Sequence, residues 1–255
     1  MPFTLSHPAA ILPLRRLKPL RTVPLVLGAL APDFSHYLPT SVRAWFPYTH
    51  NLAASWRVCV PLCLGVIGCC YLLRAPLTAL MSARARWLCL TAIDPFGKQP
   101  VEWLLAPLSI VLGAWSHLLW DSFTHGDGWM VRHSAALHAQ FTIASYSITV
   151  NRVLQYLSSV AGLAILAVWY WRLPAPEPLS LAAHTGRPRA GPVLLLCATA
   201  ATLIGGVQAM SSLERIRSVY LGLETFLTHG LAWFAVLYLV AGTVLTLEHQ
   251  GDGGD

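Results

Sequence analysis

Five stretches of the chain are apolar for long enough to cross a bilayer: about Leu52–Leu73, Leu104–Phe123, Val153–Trp171, Pro192–Leu213 and Phe226–Leu247. A helix needs about 20 such residues to span roughly 30 Å of hydrocarbon, so each predicts a transmembrane helix. A shorter apolar run, Val23–Ala31, reaches only about 14 Å as a helix, which predicts a re-entrant or surface element in place of a crossing. A cluster of Arg15, Arg16, Lys18 and Arg21 precedes it, and Pro32-Asp33-Phe34-Ser35-His36 ends it. A basic connector, 74–99, follows the first span, and a polar, Gly-containing segment of about 28 residues follows the second. Trp169, Tyr170 and Trp171 close the third span as an interfacial belt. The pattern predicts an all-α, multi-pass transmembrane helix bundle of five to six spans, with a re-entrant or surface N-terminal segment. Residues 1–172 read as the membrane domain, 173–191 as a Pro-rich linker, 192–248 as a C-terminal helix pair and 249–255 as a disordered tail.

Composition agrees with that pattern. Of 255 residues 55% are hydrophobic and only 11% charged, against roughly 25% charged in soluble domains. The net charge of +6 is scattered between apolar runs, which suits lipid headgroups and topology signals. No run clusters Lys and Arg with stacking aromatics, so nucleic acid is not an expected partner. The expected partner is the lipid bilayer. Of six cysteines, Cys59, Cys63, Cys69 and Cys70 fall within one apolar run and read as small buried hydrophobes, with Cys89 and Cys197 elsewhere. No Cys-x-x-Cys spacing offers a thiolate zinc site.

The polar positions that interrupt the apolar pattern carry the chemistry. On a helix, His117, Asp121 and His125 fall at i, i+4 and i+8 and share one face. Ionisable groups are costly inside a membrane, so such a line points to a metal site or a proton path. The plain alternative is a hydrogen-bonded His117–Asp121 pair that knits helices together. Alternation of the spans brings Asp33, His36, His50, Asp121 and His125 to one membrane face, with His117 about one turn deeper. A re-entrant N-terminus adds His7 and the basic cluster to that face, which then carries most Lys and Arg and is cytoplasmic. A crossing N-terminus puts them opposite and makes the face external. Four helical residues rise about 6 Å and eight about 12 Å, so His117 and His125 are too far apart to share one ion. Either His125 lies past the helix end, or two metals flank Asp121. Imidazole and carboxylate without thiolate suit a divalent metal such as zinc or manganese.

Met1-Pro2-Phe3-Thr4-Leu5-Ser6-His7-Pro8-Ala9-Ala10, Ala31-Pro32-Asp33-Phe34, the run His117 to His125, Gly128-Trp129 and Leu154-Gln155…Ser158-Ser159…Gly162-Leu163 resemble the bacterial membrane family called domain of unknown function 4184, over roughly residues 1–170. More distantly, the pattern resembles membrane-bound metal-dependent hydrolases, with an early His, a Pro-Asp, a Thr-His and a later His-x-x-x-Asp. That resemblance implies His7, Asp33, His50, His117 and Asp121 as metal ligands. A second Asp usual beside Pro-Asp is replaced here by Phe34-Ser35, with His36 a candidate substitute.

Two functions fit. In the first, a metal-dependent hydrolase acts at the membrane surface on a phosphoester or another lipid-linked ester, with Asp121 or His125 as the group that orients water or serves as general base. Arg132 or Arg152 is then a candidate phosphate contact. In the second, a transporter or non-catalytic component uses the cluster for metal binding or proton relay. A relay needs polar groups through the bilayer, and the later spans offer few beyond Gln155, Ser158, Ser159 and Gln208.

Overall fold

The computed structural model describes residues 4–37, 48–143, 146–174, 190–216 and 219–251. It is an all-α, multi-pass bundle in which five helices are long and apolar enough to cross a membrane. Contacts divide the chain into two compact units, Met1–Ile67 with Gln99–Pro174, and Gly68–Lys98 with Ala175–Asp255.

The first unit carries the site. Its N-terminal 3-10 helix, Thr4–Ile11, and a short 3-10 turn, Leu14–Arg16, lead to α1, Thr22–Leu30, and a 3-10 turn, Ala31–Tyr37. The transmembrane helix α2 is Leu52–Leu72, with a π-helical turn at Ser55–Cys59. Asn51 caps it by accepting a hydrogen bond from the Ala54 amide at 2.8 Å, the arrangement that Asn favours at a helix start. Three short helices, α3 (Arg74–Thr78), α4 (Ala83–Ile93) and α5 (Pro95–Lys98), occupy the connector and belong to the second unit.

The long helix α6, Pro100–Thr124, is the spine of the first unit. It starts four residues before the apolar run because Pro100 suits a first helical position and Glu102 complements the positive helix N-terminus. It stops at His125, whose backbone is extended (φ −96°, ψ 141°). The polar segment beyond it holds α7 (Trp129–Arg132), α8 (Ala135–His138) and an antiparallel ribbon of β1 (Gln140–Ile143) and β2 (Tyr146–Thr149), in which Gln140 faces Thr149 and Ile143 faces Tyr146. The alternation of Phe141, Ile143, Tyr146 and Ile148 with hydroxyl residues is a two-residue period too short to stand out beside five membrane spans. Helix α9, Val150–Arg172, returns antiparallel to α6; Asn151 Nδ2 donates to the Thr124 carbonyl at 3.1 Å, and Trp120 Nε1 to Ser158 Oγ at 3.2 Å.

Helix α1 lies against α6 at backbone contact. A Cβ on Gly28 would strike the Ile110 carbonyl, and one on Gly113 would strike the Leu25 carbonyl. Small residues that let backbones meet are how helices associate in lipid, where apolar burial alone drives nothing. Ile11, Leu25 and Ala29 form the packed core beside this crossing, with Leu20 and Leu112 against it. Leu104, Leu119, Leu157, Val160 and Ile165 face outward and fit hydrocarbon.

The N-terminal segment doubles back along α6. It starts at His7, beside Asp121, and descends until the Arg21 amide donates to Ser109 Oγ at 2.9 Å and its guanidinium pairs with Glu102 at 2.8 Å. It then returns through α1 to Asp33. Nineteen residues separate Glu102 from Asp121, so the turn lies about 28 Å along α6 from the His/Asp cluster. His7 and the basic turn therefore sit at opposite ends of the unit, where the sequence reading of a re-entrant segment kept them on one face.

In the second unit, α10 (Ala190–Ile216) and α11 (Val219–Gly251) pair as a hairpin. Leu80, Ala190 and Leu245 form its core, and Tyr238 donates to the Leu77 carbonyl at 2.8 Å. Of the expected linker, 173–191, residues 175–189 lie outside the described residues, as do residues 252–255 of the expected tail, 249–255.

Candidate metal centre

Four chain segments converge where α6 ends. The helical repeat of α6 places His117 and Asp121 one turn apart on its inner face, both buried. Asp33 follows Pro32 in the turn after α1. It is held from behind by Thr4, whose hydroxyl donates to Asp33 Oδ2 at 2.6 Å. His50 immediately precedes the cap of α2. The hydroxyl of neighbouring Thr49 donates to the Pro32 carbonyl at 2.5 Å, tying the His50 strand to the Asp33 turn. His7 enters from the N-terminal 3-10 helix, and its ring meets that of His117 edge-on at 3.9 Å.

Asp33, His50, His117 and Asp121 each offer one ligand atom, and those atoms all lie within 4.8 Å of one another. His117 Nε2 is 3.1 Å from Asp121 Oδ2 and 3.6 Å from Asp33 Oδ1, whereas His50 Nε2 is 3.1 Å from Asp33 Oδ1 and 3.7 Å from Asp121 Oδ2. Donors about 2.0–2.2 Å from one shared ion stand roughly 3.0–3.5 Å apart at octahedral or tetrahedral angles, so the spacing suits a single divalent metal. His117 Nδ1 donates to the Ala29 carbonyl at 2.8 Å. That bond leaves the Nε2 lone pair of the neutral ring facing the carboxylates, the support that metal-binding imidazoles usually receive. His117 Nε2 and Asp121 Oδ1 are buried without an aligned hydrogen bond. Two carboxylate oxygens within 4.8 Å of each other repel by at least about 3 kcal/mol at an effective dielectric of about 20. A cation between them relieves that repulsion and satisfies the orphaned His117 Nε2. Two imidazoles and two carboxylates could together hold a metal ion.

Asp121 faces both ways. Its Oδ2 looks toward His117 and His50, while Oδ1 lies 3.3 Å from His7 Nε2 and 3.3 Å from His125 Nδ1. His125 reaches Asp121 because the helix has already ended, so the 12 Å separation that an unbroken helix would impose does not apply. His7 and His125 thus flank the four-residue group through Asp121. The His36 side chain lies outside the described residues. His133 stacks on Trp129 and donates to its carbonyl at 2.7 Å, and His138 donates to the Val131 carbonyl at 2.7 Å, so both serve their own loop. Arg152 donates to Gln155 Oε1 at 3.3 Å, whereas Arg132 lines the cleft. The Thr-His pair at 49–50 is legible in the sequence, but the contacts of Thr4 and of the Ala29 carbonyl with the centre leave no local signal there.

Burial, with the neighbouring His117 ring, holds the His7 imidazole down from 6.5 to about 4. Burial also opposes ionisation of Asp33, but contacts from His117, His50 and Thr4 outweigh it and hold the carboxyl well below the usual range. Between pH 6.5 and 4 the unfolded chain protonates His7 and the folded chain does not, so metal-free protein loses stability as pH falls through that window. The thermal midpoint of chelator-treated protein should fall there, and His7→Gln should flatten the slope. An identical slope in the variant would contradict the placement of His7. Thr4→Val, which removes the support of Asp33 but no ligand, should weaken metal binding by roughly 10–100-fold in a competition titration.

The group opens on a cleft of about 560 Å³ lined by Tyr48, Leu52, Leu118, His125, Trp129 and Arg132, among others. No curated protein and no solved structure matches the chain. The model of the family described as Domain of unknown function (DUF4184) matches residues 1–246, past the motif-bearing first 170 and through the C-terminal helix pair, and the chain belongs to that family.

Proposed function

We propose that this protein is a metal-dependent hydrolase of the bacterial cytoplasmic membrane, acting in the headgroup zone on a phosphoester or another lipid-linked ester. The observation that carries the reading is the buried Asp33–His50–His117–Asp121 group at the floor of an open cleft. His50, His117, Asp33 and Asp121 would hold a divalent ion, with His7 against Asp121 from behind. Such an ion lowers the pKa of bound water towards 7 and offsets negative charge on an ester oxygen. Asp121 Oδ1 orients the His125 ring through Nδ1, leaving Nε2 to take a proton from water in the cleft and return it to the leaving oxygen. Arg132, at the cleft wall, supplies a fixed cation for a phosphate. Tyr48, Leu52 and Trp129 are exposed at the rim, as suits a site that receives an amphipathic substrate.

Proton relay is less well supported. Below His117 the buried face of α6 continues as Ala114, Val111, Ile110 and Ala106, with Ser109 already bonded to the Arg21 amide. Those residues cannot pass a proton onward.

The test is turnover of a panel of phospholipids and isoprenoid phosphates by full-length protein in nanodiscs, loaded with zinc or manganese. Wild type should release headgroup or phosphate. His125→Ala should retain metal but lose about 100-fold or more in kcat, and Arg132→Gln should raise KM about tenfold with little change in kcat. Metal-loaded wild type that hydrolyses no member of the panel would contradict the reading.

A further inference from the structure

The turn of the N-terminal hairpin builds a second polar feature, remote from the metal centre. Arg15 and Arg16, from the 3-10 turn, and Arg172, from the last turn of α9, line one cavity of about 600 Å³. Its other walls are apolar, with Leu12, Ile165 and Trp169 prominent. The Arg15 guanidinium lies over the Trp169 ring, 5.3 Å from its centroid. Among the described residues no carboxylate pairs with any of these three arginines, and Glu102 is taken by Arg21. Three like charges gathered on an apolar wall repel one another unless an anion joins them. Trp169, Tyr170 and Trp171 mark this level as a membrane interface, where the anions at hand are phosphates carried on lipid.

We propose that this cavity is a binding site for an anionic phospholipid of the cytoplasmic leaflet. The phosphate sits among Arg15, Arg16 and Arg172, and an acyl chain runs along Leu12 and Ile165. Cation clusters between helices on the cytoplasmic side are suited to such headgroups, each arginine contributing on the order of fivefold in affinity. The site also orients the protein. The basic turn marks the cytoplasmic end, so the His/Asp cluster, at the other end of α6, opens on the outer face of the membrane. Lys18 and Arg21 in the same turn add to that bias.

The experiment is native mass spectrometry of full-length protein released from nanodiscs of phosphatidylglycerol or phosphatidylcholine. Wild type should retain one phosphatidylglycerol selectively. Arg15→Gln/Arg16→Gln/Arg172→Gln should retain it roughly 100-fold less well, with elution volume and metal content unchanged. Equal retention by the triple variant, or equal retention of phosphatidylcholine, would overturn the proposal. Inorganic phosphate displacing the lipid at millimolar concentration would also overturn it and assign a soluble anion. Arg172→Gln alone, at an exposed position, gives the same reading at smaller amplitude should the triple variant misfold. For orientation, an epitope inserted after His133 should be reached by antibody on intact spheroplasts; exposure only after permeabilisation would place the lipid site on the wrong leaflet.

Discussion

Replacing His117 and Asp121 together with alanine should strip the purified protein of divalent metal. Wild type, prepared in detergent without chelator, should carry a near-stoichiometric transition metal detectable by mass spectrometry. The two residues supply half of the four-atom group, and Asp121 is also the contact through which His7 and His125 approach. Loss of an outer partner alone lowers metal affinity by roughly 10–100-fold, so loss of two direct ligands should exceed that by a wide margin. The same variant removes one of two facing carboxylates together with its buried imidazole. The apo fold should therefore survive better than after removal of Asp121 alone, which would leave four imidazoles without their shared acceptor. Equal metal content in wild type and the double variant would mean that the metal, if any, binds elsewhere.

The second large effect belongs to Gly113. Its Cα lies against the backbone of α1 at Leu25, so a larger residue cannot be accommodated by rotating a neighbouring side chain. Gly113→Leu should push α1 away from α6 and cost about 3–5 kcal/mol, at the severe end for a single substitution. The damage should extend to the metal. Ala29, whose carbonyl holds His117 Nδ1, and Asp33, at the end of the same segment, both move with α1. A lowered thermal midpoint together with weakened metal binding is the expected pair of results. Lowered stability with unchanged metal affinity would show that α1 does not position the site.

Much of this centre was legible along the chain, because its core obeys local rules. His117 and Asp121 are one helical turn apart, and the membrane forces successive spans to alternate, which alone brings Asp33 and His50 to the same end of α6. Other parts were not legible, for identifiable reasons. The bond from His117 to Ala29 and the bond from Thr4 to Asp33 join residues 88 and 29 positions apart, and nothing in the local pattern of Ala29 or Thr4 distinguishes them. The reach of the N-terminal hairpin is not legible in the sequence, for a physical reason. Residues 4–21 descend in 3-10 geometry broken by prolines, so they lack the apolar periodicity by which depth in a membrane is read, and the basic turn looked like a surface feature beside His7. Its partners, Glu102, Ser109 and Trp169, disclose where it lies. Helix α6 starts before its apolar run because Pro100 and Glu102, polar punctuation in a hydropathy profile, are favourable in a first helical turn.

The most direct measurement is the X-ray absorption spectrum of the metal retained by wild-type protein. The account predicts a first shell of nitrogen and oxygen only, about 2.0–2.2 Å from the metal, with outer-shell scattering from at least two imidazoles. That outer-shell signal should vanish with His117→Ala/His50→Ala. A sulfur shell near 2.3 Å, or a spectrum without imidazole scattering, would place the metal on other groups and contradict the Asp33–His50–His117–Asp121 centre.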